Sequence, residues 1–195
     1  MKRGWNAFSI IIISLVIIAT SGFSSTLAIP VTGEQAAQSN ESLENNGPTL
    51  QFENGTQLLV AGQPDGSIGY VSSIPGVVTR FQQADKLGSI GLIAHNYLSG
   101  EEFFGLQIGN QVTLADASEG NTSEYRVVAV EQYQALQPTS IHSQFRNLEN
   151  EEIISAHQLS LRIYGQAGKL ILQTCIENEG NQEWGRLFVI AEPII

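Results

Sequence analysis

The sequence predicts an all-β protein: a closed β-barrel of about eight strands with one short helical insertion, behind an N-terminal hydrophobic segment. Two observations support this class. Eight segments rich in Val, Ile, Leu, Tyr or Phe are each bounded by Gly, Pro, Asn or Asp, which is typical of strands. One segment within residues 137–163 has a helical pattern instead. Many short strands with a single helical insertion favour a sheet that closes on itself.

The predicted strands differ in how they are buried. The stretch "GLIAHN" is a short continuous apolar run, which suits a strand buried on both faces, whereas "EYRVVAVEQY" alternates as a half-exposed strand does. The Gly, Asn and Ser residues of "DASEGNTSE" predict a hairpin connection. The eight predicted strands are Gln57–Ala61, Ile68–Ile74, Val77–Phe81, Ser89–His95, Gln111–Asp116, Tyr125–Tyr133, Lys169–Cys175 and Gly185–Ala191.

The helical insertion is predicted from the stretch "NLENEEIISAHQL". Asn147 is a suitable N-cap, and the acidic residues that follow would stabilise the first turn of a helix. The apolar positions on this segment are Leu148, Ile153, Ile154 and Leu159.

The N-terminal segment indicates export. Lys2 and Arg3 precede an almost wholly apolar run over Ala7–Ala19, and small residues around Ala28 resemble a weak cleavage site. The run is long for a signal-peptide core and short for a span of about 20 residues, so residues 1–28 are predicted to be either a cleaved signal peptide or a retained membrane anchor. Both alternatives place the remainder outside the cytoplasm, tethered to the cell membrane or secreted.

Residues 29–56 are predicted to be a flexible tether, because Gln, Asn, Ser, Glu and Gly predominate there and bury little surface. Residues 57–195 are predicted to form the barrel domain. Beyond Gly33 the chain has 19 acidic and seven basic residues, a net charge of −12. This acidity argues against nucleic acid or an anionic membrane surface as the main partner.

Cys175, the single cysteine, ends the apolar run "LILQTC". It cannot form an internal disulfide, so it is an intermolecular bridge, an inert buried residue or a reactive thiol. A reactive thiol needs a basic or cationic neighbour. Arg186 begins the next predicted strand, "RLFVIAEP", and His95 ends another apolar run where a polar loop begins. Strand ends at one rim of a barrel bring such groups together.

These motifs resemble those of the sortases, cysteine transpeptidases of bacterial cell surfaces. "LILQTC" is similar to the family pattern Thr-Leu-x-Thr-Cys, with Ile171 in place of the first Thr, and "GRLFV" supplies the Arg of the next strand. "LIAHN" resembles the strand that presents the sortase histidine, and "FFGLQIGNQVTLADASEGNTSEYRVVAV" is similar to the segment that follows it. Ala94 and Asn96 replace the Gly and Arg that flank the histidine in many sortases, and Asn110 replaces an Asp.

The resemblance implies a sortase-like barrel that cleaves an LPxTG-like sorting signal through a thioacyl intermediate. Cys175 would be the nucleophile, His95 the proton carrier and Arg186 the group that holds the substrate backbone or oxyanion. Thr174 would contact substrate through its hydroxyl or backbone. The implied partners are secreted proteins with a C-terminal sorting signal and an amine acceptor, either a cell-wall precursor or a pilin. No cofactor or metal is implied.

Several alternatives compete with this hypothesis. His142 and His157 are rival bases, but they fall in the insertion and not at an apolar strand end. Acidic residues could collect calcium, although acidic loops are usually only solvated; the candidates are Glu101 and Glu102 with Asp116 or the 149–152 region. The main alternative function is a non-catalytic extracytoplasmic binding or assembly module on the same barrel, because a fold does not secure an activity.

Overall fold

The computed structural model describes residues 47–67, 69–116, 120–140 and 142–195, which form ten strands, two α-helices and one 3-10 helix. The helices are α1 (Gln82–Leu87) and α2 (Ala156–Tyr164), and the 3-10 helix is Ser99–Gly105. The strands are β1 (Thr49–Phe52), β2 (Gln57–Gly62), β3 (Val77–Arg80), β4 (Ile90–Ile93), β5 (Gln111–Asp116), β6 (Asn121–Ala135), β7 (Gln144–Asn147), β8 (Ile153–Ser155), β9 (Leu170–Asn178) and β10 (Asn181–Pro193).

Eight of these strands close into a barrel. Their order is β10-β9-β4-β3-β2-β1-β5-β6, and β6 pairs back onto β10. The β2–β3 and β4–β9 pairs are parallel, and the other pairs are antiparallel. Strands β7 and β8 extend the sheet beyond β6 as a short hairpin. The predicted all-β barrel of about eight strands is therefore confirmed.

Two apolar clusters fix the two faces of β9 and β10. Leu170 and Leu172 pack inside the barrel with residues of β1, β2 and β5, whereas Ile171 and Phe188 point outward and pack with residues of α1 and α2. Burial on both faces explains the continuous apolar runs in these strands. The outer cluster also fixes the position of the insertion against the strand that carries Cys175.

Two assignments made from the sequence were wrong. Thr49–Phe52, assigned to the 29–56 tether, forms β1 and pairs with both β2 and β5. The predicted strand Ile68–Ile74 is a loop over 69–74, where Gly66 and Gly76 adopt positive φ values of 75° and 78° on either side. Residue 68 itself, residues 29–46 of the tether and the predicted signal or anchor (1–28) lie outside the described residues.

The helix of the insertion begins later than predicted. Asn147 ends β7, and α2 starts at Ala156 with Ser155 as its N-cap. The Ser155 hydroxyl accepts a hydrogen bond from the Gln158 N–H (3.2 Å), and the Gln158 side chain accepts one from the Ser155 N–H (2.9 Å). This capping box satisfies two amides at the helix start. No helix within the described ranges is long and apolar enough to cross a membrane.

Candidate active site

Cys175 and Arg186 face each other across two neighbouring strands. They are direct Cα partners in the antiparallel β9–β10 pair, so their side chains leave the sheet on the same face. It is the outer face, because Ile171 on β9 and Phe188 on β10 alternate in phase with them. The Arg186 Nη1 donates to the backbone oxygens of Glu183 (3.0 Å) and Gly185 (2.8 Å), and these bonds fix the guanidinium near the start of β10.

His95 lies two residues beyond the end of β4, the strand on the other side of β9 from Arg186. Strand β4 runs parallel to β9 with Ile93 paired to Gln173, and the Ala94 N–H donates to the Gln173 oxygen (3.1 Å). Continuing this register by two residues places His95 alongside Cys175. The half-buried imidazole stacks on Tyr97, with 5.2 Å between ring centroids and 22° between planes. By this register, His95 just beyond β4 falls in one row with Cys175 of β9 and Arg186 of β10.

Thr174 points into the barrel instead of toward this row. Its side chain is 1% exposed, and its hydroxyl donates to the Ala94 backbone oxygen (2.9 Å). Gly100 packs against the same spot, since a Cβ there would overlap the Thr174 hydroxyl and lie 2.7 Å from the His95 oxygen. The hydroxyl is therefore occupied in joining β9 to the residue before His95. Backbone and side chain of Thr174 are both buried between β4 and β10, and its predicted contact with substrate stays a prediction.

The surroundings of Cys175 favour a protonated thiol. Burial raises the pKa of Cys175, the Arg186 charge opposes this shift, and the Glu183 carboxylate adds to it. An ordinary thiol is mostly protonated at neutral pH, and a raised pKa leaves less thiolate still. A nucleophilic Cys175 therefore needs a neighbour that takes its proton, and His95 is the imidazole that the β4–β9 register places nearest in the row.

The row continues onto β6, a feature that the sequence did not reveal. Tyr133 is the Cα partner of Arg186 on the far side of β10. Its buried hydroxyl donates to a Glu131 carboxylate oxygen (2.7 Å), and burial is the main cause that raises its pKa. Tyr164 of α2 also hydrogen-bonds to the Gln173 side chain. No local pattern predicts these contacts, because the β6–β10 register and the docking of α2 are long-range features.

The competing candidates lie elsewhere. His142 is exposed in the loop before β7, and His157 is exposed in the first turn of α2. The acidic residues considered for calcium are spread over the 3-10 helix, the end of β5 and the β7–β8 turn. Among the described residues, no group of three or more His, Cys, Asp or Glu side chains is arranged to hold a metal ion.

Among solved structures, several sortases are similar to this chain. No protein-family model matches the chain, and no curated protein matches it. It is similar to sortase C1 from Streptococcus agalactiae (15% identity, TM-score 0.47, 78% of this chain and 69% of that chain). It is also similar to Listeria monocytogenes sortase A (13%, 0.47, 78% and 89%) and to a Clostridium perfringens sortase D5 transpeptidase (12%, 0.46, 77% and 79%).

Proposed function

We propose that this protein is a cell-surface, sortase-type cysteine transpeptidase. The observation that carries the proposal is the strand register of β4, β9 and β10, by which His95, Cys175 and Arg186 fall in one row. A thiol between an imidazole and a guanidinium has the groups that acyl transfer needs: a nucleophile, a proton carrier and a donor for a developing oxyanion.

The first half-reaction would form a thioacyl enzyme. His95 takes the proton of Cys175, and the sulfur attacks the scissile carbonyl of an LPxTG-like sorting signal in a secreted protein. Arg186 stabilises the oxyanion, because its guanidinium stays charged and offers several fixed donors. His95 then returns the proton to the departing amine as the C–N bond breaks. An acceptor amine, on a cell-wall precursor or a pilin, resolves the thioester outside the cytoplasm.

The alternative is a non-catalytic binding or assembly module, which the burial of Cys175 would suit. The two functions differ in what the native thiol does. The test incubates the full chain with peptides that contain candidate sorting signals and looks by mass spectrometry for an acyl adduct on Cys175. In parallel, the alkylation of Cys175 by iodoacetamide is timed for the wild type, His95→Ala and Arg186→Ala.

The transpeptidase proposal predicts that the native thiol is alkylated, that the rate changes in both variants, and that the acyl adduct disappears in His95→Ala. A thiol that reacts only after denaturation would overturn the proposal and leave the binding module as the function. Reaction of the native thiol at a rate that neither variant changes would also overturn it, since the row would then not act as one site.

A further inference from the structure

A cavity of about 550 Å³ opens at the barrel rim, next to the row of His95, Cys175 and Arg186. The loop after β4 and the strands β9 and β10 contribute to its wall. Asn96 and Tyr97 follow His95, Glu177 lies two residues after Cys175, and Gln182 lies near the start of β10. The Asn96 side chain also donates to the Gln182 backbone oxygen (3.4 Å) across the end of β9. The chain segments that carry the three site residues therefore form part of the cavity wall.

The lining combines two carboxylates with two exposed aromatic rings. Glu101 and Phe104 come from the 3-10 helix, and Tyr97 and Glu177 complete the set. Tyr97 is 59% exposed and Phe104 is 47% exposed, a large exposure for aromatic rings in a folded domain. The Gly180 N–H donates to one Glu177 oxygen and so orients this carboxylate. None of the described residues that line the cavity is basic.

Carboxylates beside aromatic faces recognise organic ammonium groups. The carboxylates attract the charge, the ring faces add cation–π attraction, and the same rings cover the apolar carbons next to the nitrogen. A neutral water molecule gains little from such a site. Tyr97 links the cavity to catalysis directly, because its ring stacks on the His95 imidazole at 5.2 Å.

We propose that this cavity binds the acceptor substrate of the transpeptidase, an amine that arrives as a primary ammonium. The inference rests on the proposed function and adds to it the place and chemistry of the acceptor site. The bound ammonium loses one proton to His95, and the free amine attacks the thioester carbonyl. A C–N bond forms and the C–S bond breaks. The sulfur leaves as a thiolate and takes up the second amine proton, which yields an amide and the Cys175 thiol.

Two acceptor sources share this chemistry, a lysine side chain and a chain N-terminus. The binding experiment therefore uses the full-length wild type with four probes: Nα-acetyl-lysine methylamide, diglycine amide and the N-acetylated form of each. We expect at least one ammonium probe to bind and its acetylated counterpart not to bind. Whichever ammonium probe binds more tightly identifies the acceptor source.

Variants locate the binding. In the double variant Glu101→Gln/Glu177→Gln, we expect affinity for the ammonium probe to fall about five- to tenfold, from the loss of two exposed charge contacts. In Phe104→Ala, we expect a loss of about two- to fivefold, as for an exposed cation–π contact. The matched control Glu124→Gln/Glu149→Gln changes the net charge equally at exposed positions outside the cavity and should leave affinity unchanged.

Kinetics separate this inference from the proposed function. With a donor peptide that acylates Cys175, the Glu101/Glu177 variant should raise KM for the amine and shift product toward hydrolysis, without changing the acylation rate. If no donor peptide acylated Cys175, that result would count against the proposed function alone, because probe binding is measured without a donor peptide. Equal binding of ammonium and acetylated probes, or equal losses in the cavity and control variants, would overturn the acceptor site.

Discussion

The hydrogen bond from Thr174 to Ala94 offers a sharp test of how the site is held together. It joins β9, one residue before Cys175, to the residue before His95, and both partners are at least 95% buried. Thr174→Val removes the hydroxyl and preserves nearly the same volume. The Ala94 oxygen would then lose this buried partner, and the contact that sets the spacing of the His95 and Cys175 strand ends would be lost.

The magnitude follows from the burial. A buried polar atom that loses its partner costs about 1–3 kcal/mol. In a domain of this size, each kcal/mol lowers Tm by roughly 2–4 °C. Thr174→Ser is the matched control, because it preserves the hydroxyl and loses one methyl group, which costs about 0.5–1.5 kcal/mol by analogy with other single-methyl deletions. Calorimetry gives Tm, and iodoacetamide kinetics give the reactivity of Cys175 in the same preparations.

We expect Thr174→Val to be less stable than Thr174→Ser, and its Cys175 alkylation rate to lose its dependence on His95. The dependence is measured by comparing each variant with and without His95→Ala. If Thr174→Val matched Thr174→Ser in both Tm and alkylation, the hydroxyl would not hold the two strand ends together, and the reasoning would be refuted.

Two further predictions concern the same site. Because the Arg186 charge lowers the Cys175 pKa and the Glu183 carboxylate raises it, Arg186→Ala should move the alkylation profile to higher pH and Glu183→Gln should move it to lower pH. Shifts in the same direction would show that these charges do not act on the thiol. Gly100→Ala should cost about 1–3 kcal/mol in unfolding free energy, because its Cβ would overlap neighbouring atoms. Gly105→Ala, where a Cβ meets nothing within 4 Å, is its control, and equal denaturant midpoints for the two variants would contradict the close packing.

The sequence by itself determined much of the strand content and one edge of the site. Strand period and turn residues are local signals, so Gln111–Asp116 was predicted with its observed bounds and the two C-terminal strands were found within a few residues of their ends. Arg186 could be placed beside Cys175 because a short connection forces consecutive strands to pair. The strand bounds and the pairing of consecutive strands both depend only on residues that are close in the sequence.

The insertion shows where local signals failed. Asn147 and the acidic residues after it are good helix-start residues, yet Asn147 pairs with Tyr133 of β6 and ends a strand. Pairing with β6 stabilises a strand there, and the helix starts at the next competent cap, Ser155. Thr49–Phe52 was likewise assigned to the tether from composition, although two neighbouring strands provide all its pairing.

Only the tertiary structure decided that the register position of His95 is the one beside Cys175. The two residues are far apart in sequence, and they share a register position because β4 and β9 pair in parallel. A shift of one residue in that register would turn His95 to the other face of the sheet, and no local pattern fixes it. The register is set by the core, where Leu92 and Leu172 pack together inside the barrel, and by the Thr174–Ala94 hydrogen bond at its rim. Local sequence patterns thus identify the candidate site residues, whereas the long-range pairing of strands in the closed barrel brings them into one row.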